Sequence, residues 1–325
     1  MAGVTGRLVL AGDCPHGAAQ IAGLLAALPA AGGPDGTGPA GLDGIGLQPL
    51  DGARNNRVYR WSAPGGAVCV KVYKVDDRRR ADREWHALSL LAAHRIEGVP
   101  RPLWRLEDPR FPVVGMSLLP GRRLPELADP GPALPALAVL LRRLQELPLV
   151  GAIGALPRVD SAEHYLRRIE EVWAQELARH EQDGPTRELT GLLGRWRASG
   201  DAHAVRALPA ARFSRGDSNL LNWSWTGDRI GVVDFEYSGY ADPVFDAADL
   251  VEHISARPIS EQSWQQVIAE MGITPAQRPA LRAARRTCAM RWLAVLWKHR
   301  SERPADFAGQ LDRVRELYRT DQPVW

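Results

Sequence analysis

The chain has 325 residues, 45% of them hydrophobic and 24% charged, a composition that marks a folded globular protein and excludes disorder as the global state. Its 41 Lys and Arg against 38 Asp and Glu leave a formal charge of +3, too small an excess to indicate a nucleic-acid surface without a local cluster. Three cysteines far apart in sequence, with no CxxC pair, indicate neither a disulfide framework nor a structural zinc and fit a cytoplasmic protein.

Residues 7–30 read as a short strand and an apolar helix carrying Ile21, Leu24, Leu25 and Leu28, packed on the outside of the main body. The "LVLAGDC" of this stretch does not make a signal peptide, because Asp13 stands where a small residue is wanted. No apolar run approaches the ~20 residues of a membrane span. Residues 31–46 hold seven glycines and two prolines and read as a flexible connector. Residues 1–45 are therefore expected as an extension and connector.

From 46 to 118 the texture is β-rich, with "LQPLDG", "RVYRWSA", "GAVCVKVY", "PRPLWRLE" and "FPVVGMSLL" as strands and one helix over 76–94. From 119 to 325, beyond Pro120-Gly121, apolar residues at three- and four-residue spacing predict helices over 131–148, 160–181, 186–198, 243–256, 260–271, 275–302 and 304–320. A hairpin interrupts them at 221–225 and 229–233. The fold class is α+β and bilobal, a small sheet lobe with one helix followed by a larger helical lobe.

In "AVCVKVY", Val68, Val70 and Val72 share one face and Lys71 takes the other. Glu84 lies on the inward stripe of its helix with Leu88 and Leu91, where a carboxylate wants a partner. Lys71 is that candidate, and such a pair positions an ammonium on the α- and β-phosphates of a nucleotide. By itself it also reads as a solvated lysine and a surface glutamate. In "SRGDSNLLN", Asp217 and Asn222 have the spacing of a kinase catalytic loop, although Asp-x4-Asn also occurs by chance. The hairpin around "TGDR" is expected to face Asn222 with Asp234 at ~4.5–5.5 Å, and an amide oxygen beside a carboxylate suits Mg2+. Asp242-Pro243 reads as an N-cap and first helical residue. Asp246, on the first turn, is expected to bind loop amides or to complement the helix dipole.

In order, "LDGARNNRVYRW", "VCVKVYK", "REWHAL", "MSLLPGRRL", "SRGDSNLLN" and "VVDFEYSGYADPVFDAADLVEH" make residues 46–325 resemble the aminoglycoside phosphotransferase and choline kinase superfamily, small-molecule kinases with a protein-kinase-like fold. The resemblance implies Asp217 as catalytic base, Asn222 and Asp234 as Mg2+ ligands, and Lys71 with Glu84 as the phosphate-positioning pair. It implies residues 52–57, including Asn55 and Asn56, as the loop over the phosphates of ATP or GTP, and the backbone of Ser117 and Leu118 as the purine hinge. Two departures stand out: Arg215 replaces the usual histidine two residues before Asp217, and the phosphate loop is poor in glycine.

For the acceptor, the family resemblance implies a hydroxyl of an antibiotic or related natural product, aminoglycoside- or nucleoside-like, whose phosphorylation gives resistance or tailoring. "DFEYSGY" is closer to choline and ethanolamine kinases, and that second reading places Trp292 and Trp297, with Glu236 or Glu252, around a quaternary ammonium. The same tryptophans also read as core. The cationic run on their helix, Arg282 to Arg300, reads as a solvated face or as a surface suited to an anionic or neutral acceptor. A third reading, from Arg215 and the atypical loop, is a nucleotide-binding pseudokinase. No nucleic-acid or membrane partner is expected, and the chain is expected as monomer or homodimer.

Overall fold

The computed structural model describes residues 6–28, 46–50, 56–63, 65–148, 156–157, 159, 161–180 and 184–319. It divides into two compact units, Met1–Pro120 with Gly231–Tyr237, and Gly121–Ile230 with Ser238–Trp325. The expected α+β class holds, and the chain returns to unit 1 for seven residues carrying the "DFE" segment. Among the described residues no helix is long and apolar enough to cross a membrane.

Unit 1 contains strands β1 (Arg7–Leu10), β2 (Leu47–Pro49), β3 (Arg57–Ala63), β4 (Gly66–Val72), β5 (Pro102–Glu107) and β6 (Val113–Ser117). They form one antiparallel sheet in the order β1-β5-β6-β4-β3-β2. Helix α1 (Ala18–Ala27) buries Ile21, Leu24 and Leu25 in a cluster with Trp61, Val68, Val70, Val72 and Trp104. Each such side chain contributes about 1.5–3 kcal/mol by leaving water. Residues 7–28 thus differ from the expected outlying element, because β1 pairs with β5 and α1 builds the core on the valine face of β4. Gly115 on β6 is required by close approach: a Cβ there would lie 2.1 Å from Trp104 Cε2.

Helix α2 (Arg80–Ala93) buries Trp85, Leu88 and Leu91 together with Glu84. It serves the face of β4 opposite the valines, which is why alternation along β4 carries Lys71 to it.

Unit 2 contains β7 (Arg122–Arg123), α3 (Leu134–Gln145), α4 (Ser161–Arg167), a π-helix over Arg168–Trp173, α5 (Ala174–Ala178), α6 (Gly184–Ala198), α7 (Asp201–Arg206), β8 (Arg212–Ser214) and β9 (Trp223–Trp225). Strand β10 (Ile230–Val232) carries the chain into unit 1. Unit 2 resumes with β11 (Gly239–Ala241), α8 (Pro243–Glu252), α9 (Glu261–Glu270), α10 (Arg278–Lys298) and α11 (Pro304–Arg319). Helix α10 is the hub, with α7, α8 and α11 packed on it.

Three details depart from expectation. The single helix expected over 160–181 is α4, the π-helix and α5, and α7 was not expected. The hairpin is shorter, because the Asn219 side chain accepts the Leu221 N–H at 3.1 Å and winds Leu220–Asn222 into a 3-10 turn. Asn222 and Asp234 therefore both lie outside its strands. The N-cap is as expected, Asp242 accepting the Val244 N–H at 2.8 Å with Pro243 at the first helical position.

Candidate active site

In unit 1 the buried Lys71 ammonium lies 2.7 Å from Glu84, 2.7 Å from Asp234 and 3.1 Å from Glu236. Glu84, fully buried, also accepts the Tyr73 hydroxyl and, at 2.9 Å, the Phe235 N–H. Burial alone would lower the Lys71 pKa, but Asp234 and Glu84, with Tyr73 and Glu236, outweigh it and raise it well above its ordinary value. The ammonium stays charged. Asp234 has a φ of +70°, a left-handed conformation uncommon outside glycine and concentrated at functional sites.

Glu236, expected beside an acceptor, belongs to this cluster. Asn56 donates to it, and Arg80 Nη1 lies 3.4 Å away. Burial raises its pKa against the pull of Lys71. Asn56 also accepts the Lys74 N–H at 3.2 Å, whereas Asn55 lies outside the described residues. Ser117 exchanges both polar groups with Arg101, its hydroxyl accepting the Arg101 N–H at 2.8 Å and its N–H donating to the Arg101 carbonyl at 2.9 Å. Leu118 follows at the end of β6, half-buried.

In unit 2, one Asp217 oxygen accepts the Asn219 N–H at 3.0 Å, and the other accepts the Asn222 side-chain N–H at 2.7 Å. Arg215, buried, sits 3.6 Å from that second oxygen and 5.9 Å over the Trp223 ring. The loop is tied to α8 and the turn after it by hydroxyls. Ser214 donates to Asp246 at 3.0 Å and accepts the Gly216 N–H at 3.0 Å. Ser218 donates to Asp249 at 2.9 Å, where Tyr165 also donates at 3.4 Å. The Leu220 N–H donates to Ser255 at 2.9 Å, and Ser255 in turn meets His253 Nδ1. Asp246 therefore reaches the loop through Ser214.

Loss of water raises Asp249 despite Arg291, pushes Asp246 up to about 7, and with the Arg291 and Arg215 charges lowers His253 to about 3. His253 is thus a neutral acceptor.

The donors present suit a magnesium ion. In unit 2, Asn222 spends its N–H on Asp217, which leaves its amide oxygen as the group to offer; in unit 1, Asp234 carries a carboxylate. Both are the hard oxygen ligands Mg2+ prefers. Glu84, Asp234 and Glu236 also bring carboxylate oxygens within 4.8 Å of one another, with the Lys71 ammonium among them.

The remaining expected acceptor residues are engaged elsewhere. Glu252 is buried between Arg285 at 2.7 Å and Arg313 at 2.9 Å, so its charge is spent on joining α8 to α10 and α11. Trp297 is buried and donates to Thr186 at 3.1 Å. Trp292 stands edge-on to His253 at 4.7 Å, with the Arg291 guanidinium 4.0 Å over its ring. A cation already covers that ring.

Tyr73, Ser214, Ser218, Asp249 and the His253–Ser255 pair were missed. A signal existed for three of them: Asp249 lies three residues after Asp246 on α8 and so shares its face, and Ser214 and Ser218 bracket Asp217.

The model of the phosphotransferase enzyme family matches residues 46–285. Among solved structures, a choline/ethanolamine kinase family protein from Mesorhizobium loti is 22% identical, with 93% of this chain and 96% of that one covered at a TM-score of 0.57. A spectinomycin phosphotransferase bound to ADP and spectinomycin is 12% identical, with 86% and 90% covered at 0.56. An aminoglycoside phosphotransferase from Streptomyces rimosus is 20% identical, with 83% and 98% covered at 0.53. Others of this fold are complexes with ADP, AMP or ATP. Among curated proteins none matches the chain.

Proposed function

Since the chain belongs to the phosphotransferase enzyme family, whose chemistry here is transfer to a small-molecule hydroxyl, we propose that it moves the γ-phosphate of ATP or GTP to a hydroxyl of an antibiotic or related natural product. Aminoglycoside- or nucleoside-like acceptors fall in that range, and the outcome is resistance or tailoring. The observation that carries the reading is Lys71, buried, charged and aimed by Glu84 and Asp234.

In unit 1, Lys71 binds the α- and β-phosphates, Glu84 keeps its ammonium in place, Asn56 belongs to the loop over the phosphates, and the Leu118 backbone takes the purine. In unit 2, Asp217 accepts the acceptor's hydroxyl proton. Its two accepted hydrogen bonds fix the carboxylate in place, and Arg215 holds its orientation where the family usually has histidine. Asn222 and Asp234 would hold Mg2+, which would neutralise charge on the phosphates. As the acceptor oxygen bonds to the γ-phosphorus, the bond from that phosphorus to the nucleoside diphosphate oxygen breaks, and the proton leaves through Asp217 to water. Positioning and charge neutralisation supply most of the rate.

The test is acceptor-dependent ADP or GDP release with Mg2+ across aminoglycosides, nucleoside antibiotics, choline, ethanolamine and simple sugars, with Asp217→Asn as blank. Release lost in the blank supports the reading. Nucleotide binding without release for any acceptor overturns it in favour of a pseudokinase.

A further inference from the structure

Unit 2 contains a cavity of about 190 Å3 between the π-helix with α5 and helix α10, and nothing in the reaction above uses it. His164, Arg168, Trp173, Glu176, Arg291 and Lys298 stand on its wall. Its volume is below the ~300–1,000 Å3 of sites for drug-sized ligands, so it fits a small molecule or one group of a larger one. π-Helices are rare and gather at functional sites, and this one begins with Arg168 and ends with Trp173, both on the cavity wall.

The wall combines apolar surface from Ile169, Ala294 and Val295 with polar groups that lack partners among the described residues. Arg291 Nη1, Trp173 Nε1 and Glu176 Oε2 are buried without a hydrogen-bond partner among the described residues. Buried polar atoms are nearly always paired, because leaving one unpaired costs the fold its lost hydration. Three on one small wall are positioned for something that enters it. The charges favour an anion: Lys298 is bound to Glu176 at 2.6 Å, while Arg168 and Arg291 have no ion pair among the described residues. The Arg291 guanidinium is fixed in advance, 4.6 Å over Tyr165 and 4.0 Å over Trp292. Tyr165 donates to Asp249, which Ser218 also reaches from beside Asp217. One side chain and one carboxylate separate Arg291 from the reacting loop.

Resting on the reading of Asp217 as base, we propose that this cavity selects the acceptor by charge, Arg291 and Arg168 binding a carboxylate or phosphate group on it while Glu176 accepts from a neighbouring hydroxyl or amine. This narrows the range proposed above: the acceptor is a small hydroxylated anion, and polycationic aminoglycosides and choline fall outside it. A stacked guanidinium suits planar, bidentate recognition of such a group, and the cation over Trp292 repels a quaternary ammonium.

Calorimetric titration of the full chain tests this with inorganic phosphate, glycerol 3-phosphate, D-glycerate, glycerol, choline and kanamycin. The expected result is binding of the anions, weakened tenfold or more by Arg291→Gln and by Arg168→Gln, with Arg291→Lys retaining more than Arg291→Gln. Arg168 is partly exposed, so its variant separates lost recognition from lost folding. The phosphate and carboxylate arms tell the two anion sources apart by which binds more tightly. Absence of anion binding at millimolar concentration, anion binding indifferent to both variants, or tighter binding of choline or kanamycin overturns the proposal. Nucleoside diphosphate release separates it from the reading beneath it. Arg291-dependent anion binding with no release for any acceptor overturns the kinase and keeps the site. Release with cationic acceptors, indifferent to Arg291→Gln, keeps the kinase and overturns the site.

Discussion

The two units hold their key side chains by opposite means. Unit 1 gathers three carboxylates on one buried ammonium, whereas unit 2 holds Asp217 with amide N–H groups and ties its loop down through Ser214, Ser218 and Ser255. Buried charges depend on one another, since removing a partner leaves the rest uncompensated. A carboxylate held by amides can lose its charge and keep one of its two accepted bonds. Binding and stability should therefore be inseparable around Lys71 and separable around Asp217.

Asp217→Asn carries the largest expected effect, a loss of about 10²–10⁴-fold in acceptor-dependent turnover. Nucleotide affinity and melting temperature should stay close to the parent, because an Asn oxygen still accepts the Asn219 N–H. A large fall in melting temperature would break the comparison from the unit 2 side. Lys71→Met should cost both properties together, ~3–5 kcal/mol in denaturant unfolding for the orphaned carboxylates along with nucleotide affinity measured by titration. A stable variant that merely fails to bind would break it from the other side.

Ser218→Ala should cost about 1 kcal/mol in stability and lower kcat more than it raises KM, since Ser218 steadies the loop and touches no substrate in the proposed reaction; steady-state kinetics reads the split. Asp246→Asn sharpens the contrast by pH. With its folded pKa pushed up to about 7, Asp246 binds a proton in the folded chain that it releases in the unfolded one between about pH 4 and 7, so its contribution to stability falls as pH rises through that window. Thermal melts should show the Asn variant more stable than the parent at about pH 8, with the gap narrowing as pH falls and closing only near about pH 4. A difference independent of pH would remove the buried carboxylate as its cause.

Much of unit 1 was legible in the sequence because its signals are local. The period-2 valines of β4 put Lys71 opposite the core, and the helical stripe of α2 put Glu84 inward, so their meeting could be read from two short segments. Glu236 was recognised as a lone acid but assigned to the wrong neighbours, because its partners Asn56, Lys71 and Arg80 come from far along the chain. The same distance hid Tyr165 and Asp249 from Ser218. Glu252 looked available for an acceptor only because nothing in its own segment reveals Arg285 and Arg313. The π-helix was illegible for a different reason: its apolar spacing is close to that of an α-helix, and the insertion is settled by packing against α10.

The strand order places β1 and β2 at the two edges of the six-stranded sheet, so both rims are supplied from the first fifty residues. A ribosome makes each of these segments before its partner, so Arg7 must wait for Glu107 and Leu47 for Trp61 before either can pair. The far rim can close soon after β3 emerges, while β1 stays unpartnered until β5 is made. During that interval an apolar helix and an open strand are exposed to other nascent chains, the kind of surface that chaperones hold. Deleting residues 6–28 would make the interval permanent by uncovering the backbone of β5 and the valine face of β4, and exposed sheet edges of this kind recruit further strands. Aggregation on expression, more than loss of chemistry, is the expected fate of such a truncation.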